Sequence, residues 1–325
     1  MDLSAISRVL IAHNPIGEGD DPSTADVLAQ VQLVASGLNA LGIPCRSLAI
    51  PDWKPWLHLA PEPGMVVFNL MEAPPGVPHV HPNAAAVLEL MGIPFTGSAA
   101  DVLTLTTDKL ATRALLASEG LPIAPGGRLD PDCPGLLHRI PGPWIVKPAK
   151  EDASLGLEGD PVSSIREVVL ARALNLAARF PGQSLVVETF LPGRELNASI
   201  LAGEVLPVAE IVFDGYPEGM SRVVGYEAKW REDSFEYIHT VRRFPDGDED
   251  ADLLERVRYL ALKAWRVCGL RGYARVDLRL DHNGEPHILE VNANPCLAPG
   301  AGFMAAAEQA GLTAGDVVQK ILDEV

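Results

Sequence analysis

Apolar positions along the chain alternate between short continuous runs and a spacing of three to four, and the changes mark its elements. "RVLIA" (Arg8–Ala12) predicts a first strand. "STADVLAQVQLVASGLNALG" has helical periodicity, with Ser23 placed to cap its start and Gly42 near its end. "CRSLAI" and "MVVFNL" predict two more strands and "NAAAVLELMG" a second helix. Strands alternating with helices predict a parallel sheet with helical crossovers, and this region ends near "GIPFTGS", Gly92–Ser98. Next comes a helix, "DKLATRALLASEG", opened by Asp108. "PGPWIVKPAKEDASLGLEG" is a strand running into a glycine-containing loop, and "SIREVVLARALNLAARF" is a helix. "SLVVETFLPGRELNASILAGEVLPVAEIVF" supplies several strands. The polar stretch from Asp214 to Gly247 has weak periodicity and reads as loop or lid. "DLLERVRYLALKAWRVCGL" is an amphipathic helix, and "MAAAEQAGL" and "DVVQKILDEV" close the chain as helices. The fold class is α/β for the first region and α+β for the rest of the chain.

One pattern brings chemistry with it. "YARVDLRLDHNGEPHILEVNAN" reads as two strands around Asn283-Gly284, a strong hairpin signal. With those two residues as the turn, Asp277 lies opposite Glu290 and Arg275 opposite Asn292, all on one face. Val276, Leu278 and Leu280 are left to face a core. Opposed carboxylates repel, and a cation between them removes the problem. Hard divalent cations take oxygen ligands, so Asp277, Glu290 and Asn292 form a candidate Mg²⁺ set. A solvated polar hairpin face is the bland alternative.

Composition narrows the classes. The chain has 325 residues, which suits two or three domains, and is 47% hydrophobic and 21% charged, as globular proteins are. A formal net charge of −17 argues against a nucleic-acid or anionic-membrane binder, though a local basic cluster can still take a small anion. No apolar run is long enough to span a bilayer, and Met-Asp-Leu-Ser-Ala lacks the basic start of a secretory signal. Cys45, Cys133, Cys268 and Cys296 are scattered, so reduced thiols and a cytoplasmic location are expected.

Four stretches, in order, resemble the D-alanine–D-alanine ligase branch of the ATP-grasp family. They are "GIPFTGS…TDK", "WIVKPAKEDASLGL", "VVETFLPGRELNASIL" with "YEAKW", and "RVDLRLDHNGEPHILEVNANP". The resemblance is clear from about Val87 to the C-terminus and weaker before it. It implies an ATP-grasp fold with a Rossmann-like pre-ATP-grasp domain (1–97), a central subdomain (98–188) and a C-terminal subdomain with the metal site (189–325). Read alone, Lys147 is a snorkelling edge residue or a phosphate ligand, Lys109 a surface lysine, and Glu195 a solvated loop carboxylate. The resemblance makes Lys147 and Lys109 phosphate ligands and "EDASLG" the loop over the phosphates, where Ser154 and Gly156 let backbone N–H groups approach oxygen. It places Glu188 at the adenine amino group, the backbone near Phe190 and Leu191 at the adenine edge, Glu195 at the ribose and Lys229 at the γ-phosphate. The implied activity is ATP-dependent carboxylate–amine ligation through an acyl phosphate, with Arg275 and Lys229 as catalytic residues. The cofactors are ATP and Mg²⁺, with Mn²⁺ able to substitute. A turn after Asn292 would direct backbone N–H groups near Cys296 toward the reacting carbonyl.

The chain departs from the family where amino acids are recognised. Ala153 stands in the family's Ser-Ser pair, Trp230 in place of a tyrosine, and no N-terminal glutamate is evident. "NLMEAPPGVPHVHPN" replaces a Gly-Glu-Asp-Gly loop, and no serine follows Pro295, where Ala301 stands. The expectation is a different substrate pair, with D-alanine–D-alanine ligation as the runner-up and a catalytically silent ATP-binding module as the alternative of another class. Asp26, Trp230, Cys296 and Ala301 are the candidate substrate residues. Asp20, Asp21 and Asp26 either cap the first helix or face a substrate amine. His79 and His81 read as polar residues of a proline-rich loop rather than metal ligands, and Cys296 as a packing residue rather than a nucleophile. The expected partners are small carboxylate and amine substrates, amino acids among them, with a homodimer left open.

Overall fold

Strand β1 (Arg8–His13) is buried along almost its whole length, and it takes parallel partners on both edges. These are β2 (Cys45–Ala49), reached through helix α1 (Pro22–Ala40), and β3 (Met65–Leu70). A computed structural model describes residues 5–15, 22–51, 59–73 and 76–325, without the side chains of 22–25. Helix α1 starts at Pro22, so Ser23 lies inside it rather than at its cap. Helix α2 (Val80–Leu90) starts three residues before "NAAAVLELMG" and takes in His81 and Pro82. A proline is tolerated there because first-turn N–H groups have no intrahelical partner. His81 is therefore helical, not part of a loop.

Helix α3 (Ala100–Thr107) precedes the expected one and is not legible in the sequence as a separate element. Asp108 separates it from α4 (Lys109–Ser118), where its side chain accepts from the backbone N–H groups of Leu110 and Ala111. The next sheet is four-stranded and antiparallel, with β4 (Gly126–Leu129), β5 (Trp144–Pro148), β6 (Val162–Ser163) and β7 (Leu185–Thr189) in the order β4-β7-β5-β6. Helix α5 (Arg166–Arg179) covers it with Val169, Ala173 and Leu176.

The third sheet holds β8 (Glu195–Leu201), β9 (Glu204–Val205), β10 (Ala209–Phe213), β11 (Thr240–Arg243), β12 (Tyr273–Leu280) and β13 (Pro286–Asn292). Its order is β11-β10-β8-β12-β13, with β9 paired to β8. The polar stretch before β11 is not all loop. It contains single-turn helices α6 (Tyr226–Trp230) and α7 (Phe235–His239), with Phe235 stacked on His239 at 4.1 Å. One helical turn is too short to leave a period in sequence. Helix α8 (Ala251–Cys268) ends at Gly269, whose φ of 71° suits glycine. Helices α9 (Gly302–Gln309) and α10 (Ala314–Asp323) complete the chain and pack with α1 around Val34, Phe303 and Val318.

The hairpin turn differs from the expected one. Asp281 N donates to Glu285 O at 2.9 Å, so three residues, 282–284, form the loop, with Gly284 at φ 79°. This shifts the register by one at Leu280–Pro286, Arg279–His287 and Leu278–Ile288. A bulge at Leu289 then adds a residue and restores the expected pairs, Asp277 with Glu290 and Arg275 with Asn292. Ile288 and Val291 consequently both face the core, with Val276, Leu278 and Leu280.

Candidate active site

A cleft of about 1790 Å³ opens over the polar face of β12 and β13, lined by residues of the second and third sheets and by segments that follow the strands of the first. Alternation along β12 puts Arg275, Asp277 and Arg279 on that face. Asp277 is held by Arg275 through Nε (2.7 Å) and Nη2 (2.8 Å), and its Oδ1 also accepts from Asn197 Nδ2 of β8 at 2.8 Å. Asn292 Oδ1 accepts from Asn294 N at 2.9 Å. Glu290 Oε1 lies 3.4 Å from Lys109 Nζ, which also donates to Glu151 O at 2.6 Å and lies 3.2 Å from Asp152. Burial would raise the pKa of Glu290, but the charges of Lys109, Lys229, Lys147 and Arg275 hold it well below the usual carboxylate range. Among the described residues no group of three or more His, Cys, Asp or Glu side chains forms a metal cluster. Asp277, Glu290 and Asn292 are instead two carboxylates and an amide, an all-oxygen set that suits a hard divalent cation.

Lys147, next to last in β5, pairs with Glu188 at 2.9 Å, and Arg113 of α4 binds the other oxygen of that buried carboxylate. Burial opposes ionisation of Glu188, but Lys147 and Arg113 outweigh it and lower its pKa. Arg113 lies 75 residues from Glu188, and nothing in the sequence links them. Lys229 is half-buried, and desolvation together with the charge of Arg275 lowers its pKa. At the hinge, Phe190 N already donates to Pro143 O at 2.8 Å, whereas Leu191 N has no backbone partner among the described residues. Glu195 pairs with Arg279 Nη1 at 2.9 Å, and that guanidinium lies 4.7 Å from the Phe190 ring centre. Sequence patterning does not single out Arg279, because an arginine on a core strand has no signature of its own.

The two loops over the cleft are joined. Ser154 Oγ donates to Val224 O at 2.8 Å, and Trp230 Nε1 to Ala153 O at 2.9 Å. Ala153 and Ser154 are left-handed (φ 56° and 61°), as is Gly156 (φ 83°). Two of the backbone N–H groups near Cys296 are held within the protein. Leu297 N donates to Gln30 Oε1 (3.0 Å) and Ala298 N to Cys296 Sγ (3.4 Å). Burial pushes the Cys296 thiol up to about 12, which leaves it a poor nucleophile. Ala301 is the N-cap of α9 and offers no side-chain cap. His79 and His81 line the cleft wall, and burial lowers His81 to about 4. Asp20 and Asp21 lie outside the described residues. Asp26 lines the cleft, its pKa raised by burial, with Oδ2 4.0 Å from Cys296 Sγ.

Glu72 is an acid of the cleft that sequence patterning does not pick out. Asn14 clamps its backbone through N (2.7 Å) and O (3.1 Å), and Gln30 donates to its Oε1 at 2.8 Å. Burial raises it to about 7, with Asp26 adding to the effect. A carboxyl raised above its ordinary 4.5 binds its proton more tightly in the folded state. Its contribution is therefore full below pH 4.5 and is lost as pH climbs to about 7. Since the side chain is partly exposed, roughly 2 kcal/mol is at stake. Glu72→Gln should flatten the fall of Tm across that interval and stabilise the protein at pH 8. Parallel Tm curves for the two proteins would exclude the effect.

The family model described as D-ala D-ala ligase C-terminus matches residues 135–323. A D-alanine–D-alanine ligase of Nitrosospira multiformis is 36% identical over 239 residues, 72% of each chain. A D-alanine–D-alanine ligase B of Chromobacterium violaceum is 30% identical over 294 residues, 90% of each. A Bacillus anthracis D-alanine–D-alanine ligase, in a crystal structure complexed with ATP, shares the fold with a TM-score of 0.73 and 18% identity. The match covers 98% of this chain and 96% of that one. Among the described residues no helix is long and apolar enough to cross a membrane.

Proposed function

This chain belongs to the D-alanine–D-alanine ligase family of ATP-dependent ligases, which form carbon–nitrogen bonds, and on that premise we propose that it joins the carboxylate of one amino acid to the amine of another. The reaction of its relatives, D-alanine with D-alanine, is the first reading. One observation carries it: Lys109, Lys147, Lys229 and Arg275 all act on the single carboxylate of Glu290. Lys147, Arg275 and Lys109 are also held by Glu188, Asp277 and Asp152, so the four cations are fixed in place along one cleft, where a polyphosphate could bridge them.

A carboxylate is a poor electrophile and needs activation before an amine can attack it. The donor carboxylate oxygen attacks the γ-phosphorus of ATP, the bond from that phosphorus to the bridging oxygen breaks, and ADP leaves. The amine then attacks the acyl carbon, inorganic phosphate departs, and the ammonium proton passes to solvent. Lys109 and Lys147 orient the phosphates, and Lys229 follows the transferred group. Arg275 stabilises negative charge on the acyl oxygen. Asp277, Glu290 and Asn292 would hold Mg²⁺, which when bound neutralises phosphate charge. Glu195 and the Leu191 backbone would position the nucleoside. We read the chain as three parts, 1–97, 98–188 and 189–325, with the reaction at their meeting point.

A second reading, a different amino-acid pair, is favoured by specific side chains. Ala153 and Ala301 bring no hydroxyl to the cleft, and the Trp230 N–H is spent on the Ala153 carbonyl. ADP release with D-alanine and with a panel of amino acids, combined with mass spectrometry of the products, separates the two. The first reading expects D-alanyl-D-alanine. No ADP above background with D-alanine, alongside turnover of another pair, would replace it with the second.

A further inference from the structure

Arg279 lines the cleft beside Glu195 and is 3% exposed. Four elements hold its guanidinium. Nη1 donates to Glu195 Oε2 at 2.9 Å, and Nη2 donates to the carbonyl of Arg222 in the loop before α6. The rings of Phe190 at the hinge and Phe213 on β10 lie 4.7 and 5.7 Å from it. Arg279 and Glu195 are direct partners in the register of β12 with β8, so their side chains share one face. Nε is buried without a hydrogen-bond partner. Both ends of the fork are engaged with protein, and no bidentate edge is left for a phosphate.

Glu195, in contrast, is only half used. Its Oε2 takes the Arg279 bond, while Oε1 takes no hydrogen bond among the described residues, although the side chain lines the cleft. A carboxylate accepts at both oxygens, so Oε1 is open to a hydroxyl donor. Burial pushes Glu195 above the usual carboxylate range. The charge of Arg279 is the strongest influence against that rise, Lys229 and Lys147 add to it, and Asp277 works the other way. Without Arg279, a buried carboxylate in the field of Asp277 would take up a proton or turn aside, and either change spoils the acceptor.

We infer that Arg279 is a positioning residue for nucleotide selection: it fixes Glu195 with Oε1 left for a ribose hydroxyl, and so sets a preference for ribonucleotide over deoxyribonucleotide without touching the nucleotide. The inference rests on the ligase reading above, which puts the nucleoside at Glu195. A lysine cannot take over the task in full. Holding Glu195 and the Arg222 carbonyl together requires two N–H groups in a fixed fork, and the place over Phe190 suits a planar group. An arginine that served packing alone would affect folding but would treat ribose and deoxyribose nucleotides alike.

The test uses the full chain with Mg²⁺ and D-alanine, or with whichever amino-acid pair turns over. Release of the nucleoside diphosphate gives kcat/KM for ATP, 2′-deoxy-ATP and 3′-deoxy-ATP. The wild type is expected to prefer ATP over at least one of the deoxynucleotides by about 10-fold or more. Arg279→Met should bring that ratio close to one by raising the KM for ATP, with the KM for the deoxynucleotide changed much less. Arg279→Lys should recover part of the preference. Glu195→Gln should lose the same preference, and adding Arg279→Met to it should change the ratio no further, because both act through one contact. Circular dichroism is the folding control, and if Arg279→Met does not fold, a lowered ratio in Arg279→Lys supports the inference and an unchanged one overturns it. An unchanged ratio in folded Arg279→Met, or a wild type that does not discriminate, also overturns it. A wild type that releases no ADP with any amino acid overturns the ligase reading instead. The Kd values of ATP and the two deoxynucleotides, measured by titration calorimetry on the wild type and Arg279→Met, then decide the role of Arg279 by the same ratio.

Discussion

Glu290→Gln is expected to lower turnover on the order of 10³-fold or more while the fold survives. The amide keeps the shape of the side chain, and the ladder between β12 and β13 is made by backbone groups that the substitution leaves alone. What disappears is the one carboxylate on which Lys109, Lys147, Lys229 and Arg275 act together. Without it these cations repel one another, and the candidate metal set loses an ionised oxygen ligand. Lys109 keeps its bond to Glu151 O and its pairing with Asp152, so it stays in place but loses the charge of Glu290. Excess chelator should have the same consequence for the wild-type protein. ADP release with and without chelator, plus circular dichroism, makes the comparison. Full activity in chelator would reject the metal assignment, and a folded Glu290→Gln protein with near-normal turnover would remove Glu290 from the reaction.

Arg275→Lys should lower kcat by roughly 10²-fold or more and leave the ATP Kd much less changed. The guanidinium makes two bonds to Asp277 and still points Nη1 into the cleft, and a lysine ammonium cannot do both. The charge it faces changes during reaction, as negative charge moves onto the acyl oxygen, so the loss should fall on the transition state. If Arg275 only balanced Asp277, a lysine would serve nearly as well, because Asn197 also holds that carboxylate. A kcat within a few-fold of the wild type would therefore assign it a charge-balancing role.

The alternation of apolar and polar residues determined the main strands and the face on which Arg275, Asp277, Glu290 and Asn292 sit, because side-chain direction in a strand depends on position alone. The expected pairs are present although the expected turn is not. The three-residue loop moves the register by one, and the bulge at Leu289 moves it back. Neither feature has a strong local signal, since a bulge is selected by the core that Ile288 and Val291 must both reach. The short elements, α3, α6, α7 and β11, were illegible because one or two helical turns, or a strand of four residues, carry no measurable period.

What only the tertiary structure decided is which charges meet. Arg113 joins Glu188 across 75 positions, Gln30 joins Glu72 across 42, and Arg242 reaches Gly300 across 58. Each partner taken singly is an ordinary residue in an ordinary element, and its sequence neighbours say nothing of its counterpart. Strand direction, helix caps and turn preferences are local properties that a sequence encodes directly. The field at a cleft is a sum over side chains brought together by three sheets, and it exists only once those sheets are packed.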